Sequence, residues 1–163
     1  YAQTDALTGL YNKETTEQLT DELLSEDENK YHAFLILDVD CFKQINDIYG
    51  HAVGDIVLQK FGKLLKGTFR EGDILGRIGG DEFGVIMKNI QTKDIAMKKA
   101  EELLAKTQAY KIDELKGNNI SISIGISTAP QDGDCYMDLY KRADQALYQA
   151  KRSGKARVCN YFS

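Results

Sequence analysis

Tryptophan is absent from the 163-residue chain, proline occurs once, histidine twice and cysteine three times. With one proline and no Ser/Gly-rich spacer there is nothing to divide the chain, so a single domain over residues 1–163 is expected. Cys41, Cys135 and Cys159 are odd in number and form no CxxC, which fits a reduced, cytoplasmic setting better than a disulfide framework. Long hydrophobic runs are missing too. The longest, "AFLIL", is far too short to cross a bilayer, and no signal-peptide pattern is present. Membrane contact by this domain itself is therefore not expected. Excess positive charge is lacking as well: the net charge is −4, so no overall attraction to nucleic acid is implied. Any polyanion that binds must be held by local charges or by a metal.

What is present supports an ordinary core, with 42% apolar and 28% charged residues. The polar stretch "NKETTEQLTDELLSEDENK" with scattered leucines reads as a surface helix, and "YHAFLILDVD" as a buried central strand whose acids emerge at its end. "CFKQINDIYG" fits a short helix stopping at Gly50. Val53, Val57, Phe61, Leu64 and Leu65 recur at helical spacing. "DILGRI" and "EFGVIM" read as a hairpin turning at Gly79-Gly80. A helix capped by Thr92 follows, then a strand in which Ile120, Ile122, Ile124 and Ile126 alternate with small residues. A last helix carries Leu139, Ala143, Ala146, Leu147 and Ala150 on one face, and "KARVCNYF" reads as a final strand.

This order predicts an α+β fold, a ferredoxin-like βααββαβ core whose mostly antiparallel sheet is flanked by helices. In that topology the end of the first strand lies beside the hairpin turn. Asp38 and Asp40 should then meet Asp81 and Glu82. Clustered carboxylates repel unless a cation neutralises them, and oxygen-only ligands favour Mg²⁺ or Mn²⁺ over zinc. Such a metal shares its remaining positions with water and phosphates. Gly79 and Gly80, lacking Cβ atoms, would let a phosphate approach the turn. Lys43, Lys151 and Lys155 stand where they could neutralise phosphate charge, a pattern suited to phosphoryl or nucleotidyl transfer.

"GGDEF" at 79–83, together with "DALTGLYNK", "DVDCFKQINDIYGHAVGDIVL", "SISIGIS" and "RADQALYQAKRSGK", resembles the GGDEF family of diguanylate cyclases, every block in the family's order. The resemblance implies a palm-type, nucleotide-cyclase-like fold and the condensation of two GTP into cyclic di-GMP with release of two pyrophosphates. It implies a homodimer in which each 3′-hydroxyl attacks the partner's α-phosphate. Carried over, Asp38 and Asp81 would be metal ligands, with the Val39 carbonyl assisting. Asp81 would also serve as base, and Glu82 as a supporting acid. Asn46 and Asp55 would read guanine, with His51 in the same stretch. Phe42, Lys43, Lys151 and Lys155 would lie on the phosphate side. Arg70 and Asp73, in "REGD", match the family's inhibitory product site. The position where a second arginine often completes that site holds Glu101. The resemblance also implies that the domain is excised from a longer signalling protein, for which the Tyr1 start argues. Its cytoplasmic placement would then be that of a membrane-anchored sensor's inner domain.

Three other readings compete. A catalytically silent module of the same family would bind GTP or cyclic di-GMP as a receptor, but such modules usually have a corrupted signature. A phospho-receiver domain needs alternating βα units, and the central hairpin opposes it. An RNA-binding ferredoxin-like module wants basic, aromatic strands, whereas these are apolar or serine-bearing.

Overall fold

The strand that organises the molecule is β1 (His32–Val39), every residue of which is buried. Successive side chains of a strand point to opposite faces, so a run that is apolar throughout needs cover on both sides. In the computed structural model, which describes residues 2–162, both faces are covered. Tyr1 and Ser163, the ends of the expected domain, lie outside the described residues. The elements follow as α1 (Lys13–Glu26), β1, α2 (Phe42–Tyr49), α3 (His51–Thr68), β2 (Ile74–Gly79), β3 (Glu82–Met87), α4 (Lys93–Ala109), β4 (Ile122–Ala129), α5 (Tyr136–Arg152) and β5 (Val158–Asn160). The sheet order is β2-β3-β1-β4-β5. All pairings are antiparallel except β4 with β5, which is parallel. The α+β arrangement expected from the element order is therefore present, and the final strand closes one edge with only three residues.

Two cores follow from the alternation. Leu35, Leu37 and Val39 of β1 join Phe83, Val85, Ile122, Ile124 and Ile126 under α3 and α4, with Phe61 edge-on to Phe83 at 5.0 Å. Phe34 and Ile36 face the other way, toward Leu23, Leu24, Leu139, Ala143 and Leu147 of α1 and α5. Asp38 continues this second face, and so does Glu82, its register partner on β3. The acids are thus directed by strand parity toward α5.

The surface helix predicted first is only half one: Thr15, Thr16, Thr20, Leu23 and Leu24 are buried. Its start is set by Asn12, whose side chain accepts from Thr15 N. Thr92 does precede α4, but its hydroxyl makes no capping bond. The small residues of β4 also prove to be buried. Ser127 donates to the Leu139 carbonyl at 2.8 Å. A Cβ built on Gly125 would lie 2.2 Å from the Ala143 carbonyl oxygen and 2.3 Å from Leu147 N. The row Ser123, Gly125, Ser127 is a trough, and α5 lies in it at backbone distance.

Candidate metal and nucleotide site

The hairpin turn is one residue further along than the sequence suggests. Gly79 ends β2 and pairs with Glu82, so Gly80 and Asp81 form the two-residue turn, with a register shift between Arg77 and Gly79. The reason is the backbone: Gly80 has φ +20°, and nothing stands within 4 Å of a Cβ built on either glycine. Arg77 braces this turn, donating from Nε to the Gly80 carbonyl at 2.9 Å and from Nη1 to Asp5 at 3.1 Å. Asp5 in turn accepts from the Thr8 amide and hydroxyl, both at 2.8 Å. The "DALTGL" block therefore holds the turn that carries Asp81.

The register places Asp38 opposite Glu82, and the Val39 amide donates to the Asp81 carbonyl at 3.4 Å. The expected convergence of the two acid clusters is present for Asp38, Asp81 and Glu82. Asp40 is close by but occupied. It accepts from Ser121 Oγ (2.6 Å), Ser123 Oγ (2.7 Å) and the Ala156 amide (3.1 Å). These bonds tie the end of β1 to β4 and to the loop after α5, where Lys155 (φ 64°) and Ala156 (φ 52°) are both left-handed. Such backbone is costly for residues with a Cβ, and the bond to Asp40 helps hold it. Asp40 is a structural hub.

Asp38 is the most buried of the three converging acids. Lys151 Nζ reaches its Oδ2 at 2.5 Å, while the buried Oδ1 has no partner among the described residues. Burial, with Asp81 and Glu82 adding to it, pushes the Asp38 carboxyl up to about 6 despite the lysine. Glu82 is also pushed up, again chiefly by burial, against the opposing hydrogen bond from Tyr140. Burial acts to lower Lys151, but the bond to Asp38 and the neighbouring acids hold it above its usual value. An orphaned, buried carboxylate oxygen among crowded acids is what a divalent cation would complete.

A pH dependence follows. A carboxyl raised to about 6 in the fold binds more protons folded than unfolded between about 4 and 6. Its stabilising effect is complete below the unfolded value and lost as pH rises through about 6. In EDTA, Asp38→Asn should therefore be more stable than the unsubstituted chain at pH 7.5, by on the order of 2 kcal/mol. The gap should close toward pH 4.5. Urea midpoints at both pH values measure this, and a constant difference would mean that Asp38 carries no such penalty.

The nucleotide-reading candidates sit on the α2–α3 hairpin. Cys41 (φ 57°) turns the chain from the acids into α2, and Gly50 (φ 93°) turns it into α3. A Cβ built on Gly54 would lie 1.9 Å from Asn46 Oδ1, so the Asn46 amide rests on Gly54 directly beside Asp55. Asn46 is half-buried, whereas Asp55 and His51 are exposed. Phe42 packs behind them, 3.3 Å from the same built Cβ. Gly54→Ala should keep or raise the melting temperature through helix propensity, about 1 kcal/mol in an open helix. It should also displace the Asn46 amide, which in its expected guanine-reading role would raise the KM for GTP about tenfold. An unchanged KM would detach Asn46 from substrate.

Lys155 Nζ contacts Cys41 Sγ at 3.3 Å, beside the acids. Lys43 is exposed on the first turn of α2 and makes no hydrogen bond or ion pair among the described residues. Arg70 and Asp73 lie away from this centre. Arg70 is largely exposed, while Asp73 is buried and spent on its own surroundings, accepting from Arg70 Nη2 at 3.1 Å and from the Arg70 and Lys88 amides, each at 3.1 Å. Arg70 also donates to the Lys88 carbonyl. Lys99, rather than Glu101, lines the groove that Arg70 and Asp73 border with Ile90 and Ile95.

Several contacts had no signal in the sequence. Arg77 braces the turn through Gly80 and Asp5, Ser121 and Ser123 reach Asp40 from the β4 side of the sheet, and Tyr140 reaches Glu82 from a helix. Tyr140, on α5, donates to Glu82 Oε1 at 2.7 Å.

Residues 2–157 match the family described as "Diguanylate cyclase, GGDEF domain". The chain is 40% identical over 127 residues to Diguanylate cyclase A of Treponema denticola, covering 77% of this chain and 34% of that protein. It is 38% identical over 162 residues to the response regulator PleD of Caulobacter vibrioides, covering 96% of this chain and 36% of that protein. Between about a third and a half of the length of such relatives is spanned. Among solved structures, the isolated GGDEF domain of TpbB (YfiN) from Pseudomonas aeruginosa superposes with a TM-score of 0.92 at 33% identity, over 98% of this chain and 94% of that one. No helix among the described residues is long and apolar enough to cross a membrane. By sequence and by fold, the chain belongs to the GGDEF domain family of diguanylate cyclases.

Proposed function

We propose that this domain condenses two GTP into cyclic di-GMP, two copies meeting with their sites face to face. The observation that carries the reading is the meeting of Asp38 and the Val39–Asp81 backbone pair with Glu82, where the buried Asp38 Oδ1 has no partner among the described residues. Asp38 and Asp81 would hold Mg²⁺ or Mn²⁺ through their carboxylates, with the Val39 carbonyl and the supporting Glu82 carboxylate beside them. The metal would supply charge neutralisation at the triphosphate and polarisation of the α-phosphate.

The chain's own residues do the rest. Asn46 and Asp55 hold the guanine edge, Asp55 accepting from N1–H and N2–H₂. His51 lines the same stretch. The bare backbone at Gly79 and Gly80 admits the phosphates, and Phe42, Lys43 and Lys155 border them. Lys151, now on Asp38, would be available to the phosphates once the acids held a cation. Asp81 accepts the proton of the 3′-hydroxyl. The 3′-oxygen then forms a bond to the α-phosphorus of the GTP on the partner copy, and the bond to pyrophosphate breaks. A second, reciprocal attack closes the ring. Arg70, braced by Asp73, offers a guanidinium to the product at a separate inhibitory site, with Lys99 in place of a second arginine.

Incubation of the chain with GTP and Mg²⁺, followed by chromatography, tests this reading. Cyclic di-GMP should appear at a rate rising more steeply than enzyme concentration, because the active species is a pair. GTP left unchanged at high protein concentration sinks it in favour of the receptor reading. That reading keeps the binding site and drops the chemistry.

A further inference from the structure

Helix α5 sends two polar side chains to the acids, and they do different things there. Lys151 meets Asp38 with a full positive charge. Tyr140, about three turns earlier on the same stripe of the helix, meets Glu82 with a neutral hydroxyl at 2.7 Å. A cation bound to a carboxylate uses up the charge that a metal would need. A phenol fixes the carboxylate and leaves its charge available. It also occupies only one of about four lone-pair positions.

The phenol is itself held rigidly. Its ring stacks on Tyr136 with centroids 5.9 Å apart and planes at 27°. Tyr136 is fully buried and edge-on to Phe34 of β1 at 5.4 Å. Glu82, by contrast, has three rotors and three acids for neighbours, Asp81 in the chain, Asp38 across the sheet and Asp144 on α5. Left alone it would swing away from them, and restraining such a long side chain costs rotamer entropy. The stack supplies an internal comparison as well: the Tyr136 hydroxyl is buried and has no partner among the described residues.

We propose that Tyr140 is a positioning residue of the cation site, its hydroxyl holding the Glu82 carboxylate in place for a divalent cation and the triphosphate beside it. The inference rests on the metal and nucleotide reading above. Partners of this kind, one bond removed from the metal, are worth about 10- to 100-fold in affinity or activity.

The test is Mn²⁺ binding in the presence of a non-hydrolysable GTP analogue, read as free Mn²⁺ by electron paramagnetic resonance. Turnover with Mg²⁺ and melting temperature are measured alongside. Tyr140→Phe keeps the ring and removes only the hydroxyl. It should weaken Mn²⁺ binding about tenfold and lower kcat similarly, with KM for GTP within about twofold. Its melting temperature should fall by no more than about 2–4 °C, the effect of one hydrogen bond in a chain of this size. Tyr140→Leu, which also lacks the donor, should lose the same Mn²⁺ affinity. Tyr136→Phe removes the unpartnered hydroxyl of the same stack and should leave both readouts unchanged. Equal Mn²⁺ affinity in Tyr140→Phe and the unsubstituted chain removes Tyr140 from the site, as does an equal loss in Tyr136→Phe. An unsubstituted chain that binds no Mn²⁺ overturns the cation site itself, and this inference with it.

Discussion

Asp81→Asn should reduce cyclic di-GMP formation by about 10³-fold or more while the chain stays folded. The substitution preserves size and one carbonyl oxygen in a half-buried turn position. The turn itself is built from Gly80 and braced by Arg77 on the Gly80 carbonyl, and neither contact uses the Asp81 side chain. What would be lost on the proposed mechanism is the charge that holds the cation and the group that takes the 3′-hydroxyl proton. General-base catalysis alone is worth about 10²–10⁴-fold, so the combined loss should sit at the upper end. Mixed dimers sharpen the expectation. In a large excess of the Asn chain, most active pairs would contain one intact site. Only one of the two attacks could then proceed, and a linear dinucleotide triphosphate should accumulate in place of the ring. Chromatography of the reaction distinguishes the two products. Retention of more than about a tenth of the activity would take Asp81 out of the mechanism.

The second large effect concerns which base is chosen. Asp55→Asn should lower kcat/KM for GTP by about 10²–10³-fold and raise ATP in relative terms. A carboxylate accepts only, and guanine N1–H with N2–H₂ offers two donors to it, whereas adenine offers no such pair. An amide both donates and accepts, as adenine also does, so the penalty against ATP is relieved. Sites that hydrogen-bond their substrate reject analogues lacking the partner by up to about 10⁴–10⁵-fold. The expectation here is set lower because Asp55 is exposed and water can partly satisfy it. Competition between GTP and ATP at equal concentration measures the ratio, and an unaltered ratio would place base selection elsewhere.

Much of this was legible along the chain. The parity of "HAFLILDV" and the two hairpin strands sufficed to bring Asp38 beside Glu82, because strand pairing converts position into register. Three features were not legible, for distinct reasons. The turn fell at Gly80-Asp81 instead of Gly79-Gly80 because the pairing slips after Arg77, and a slip of that kind leaves no mark in residue type. Asp40 looked like a fourth member of the acid cluster, yet Ser121, Ser123 and the Ala156 amide claim it. Serines spaced by isoleucines announce a strand, not what they will bond to. Tyr140 lies 58 residues from Glu82. Nothing in a helical stripe tells which of its side chains will reach a distant strand end.

Gly125 has a consequence beyond packing. Because it has no side chain, α5 lies against β4 at backbone distance. That short standoff is what lets Lys151 and Tyr140 span the gap to Asp38 and Glu82. A methyl group at position 125 would lift the helix, and both contacts would lengthen together. The acids' environment is thus calibrated by a spacer that is missing, two residues along the sheet from Asp38.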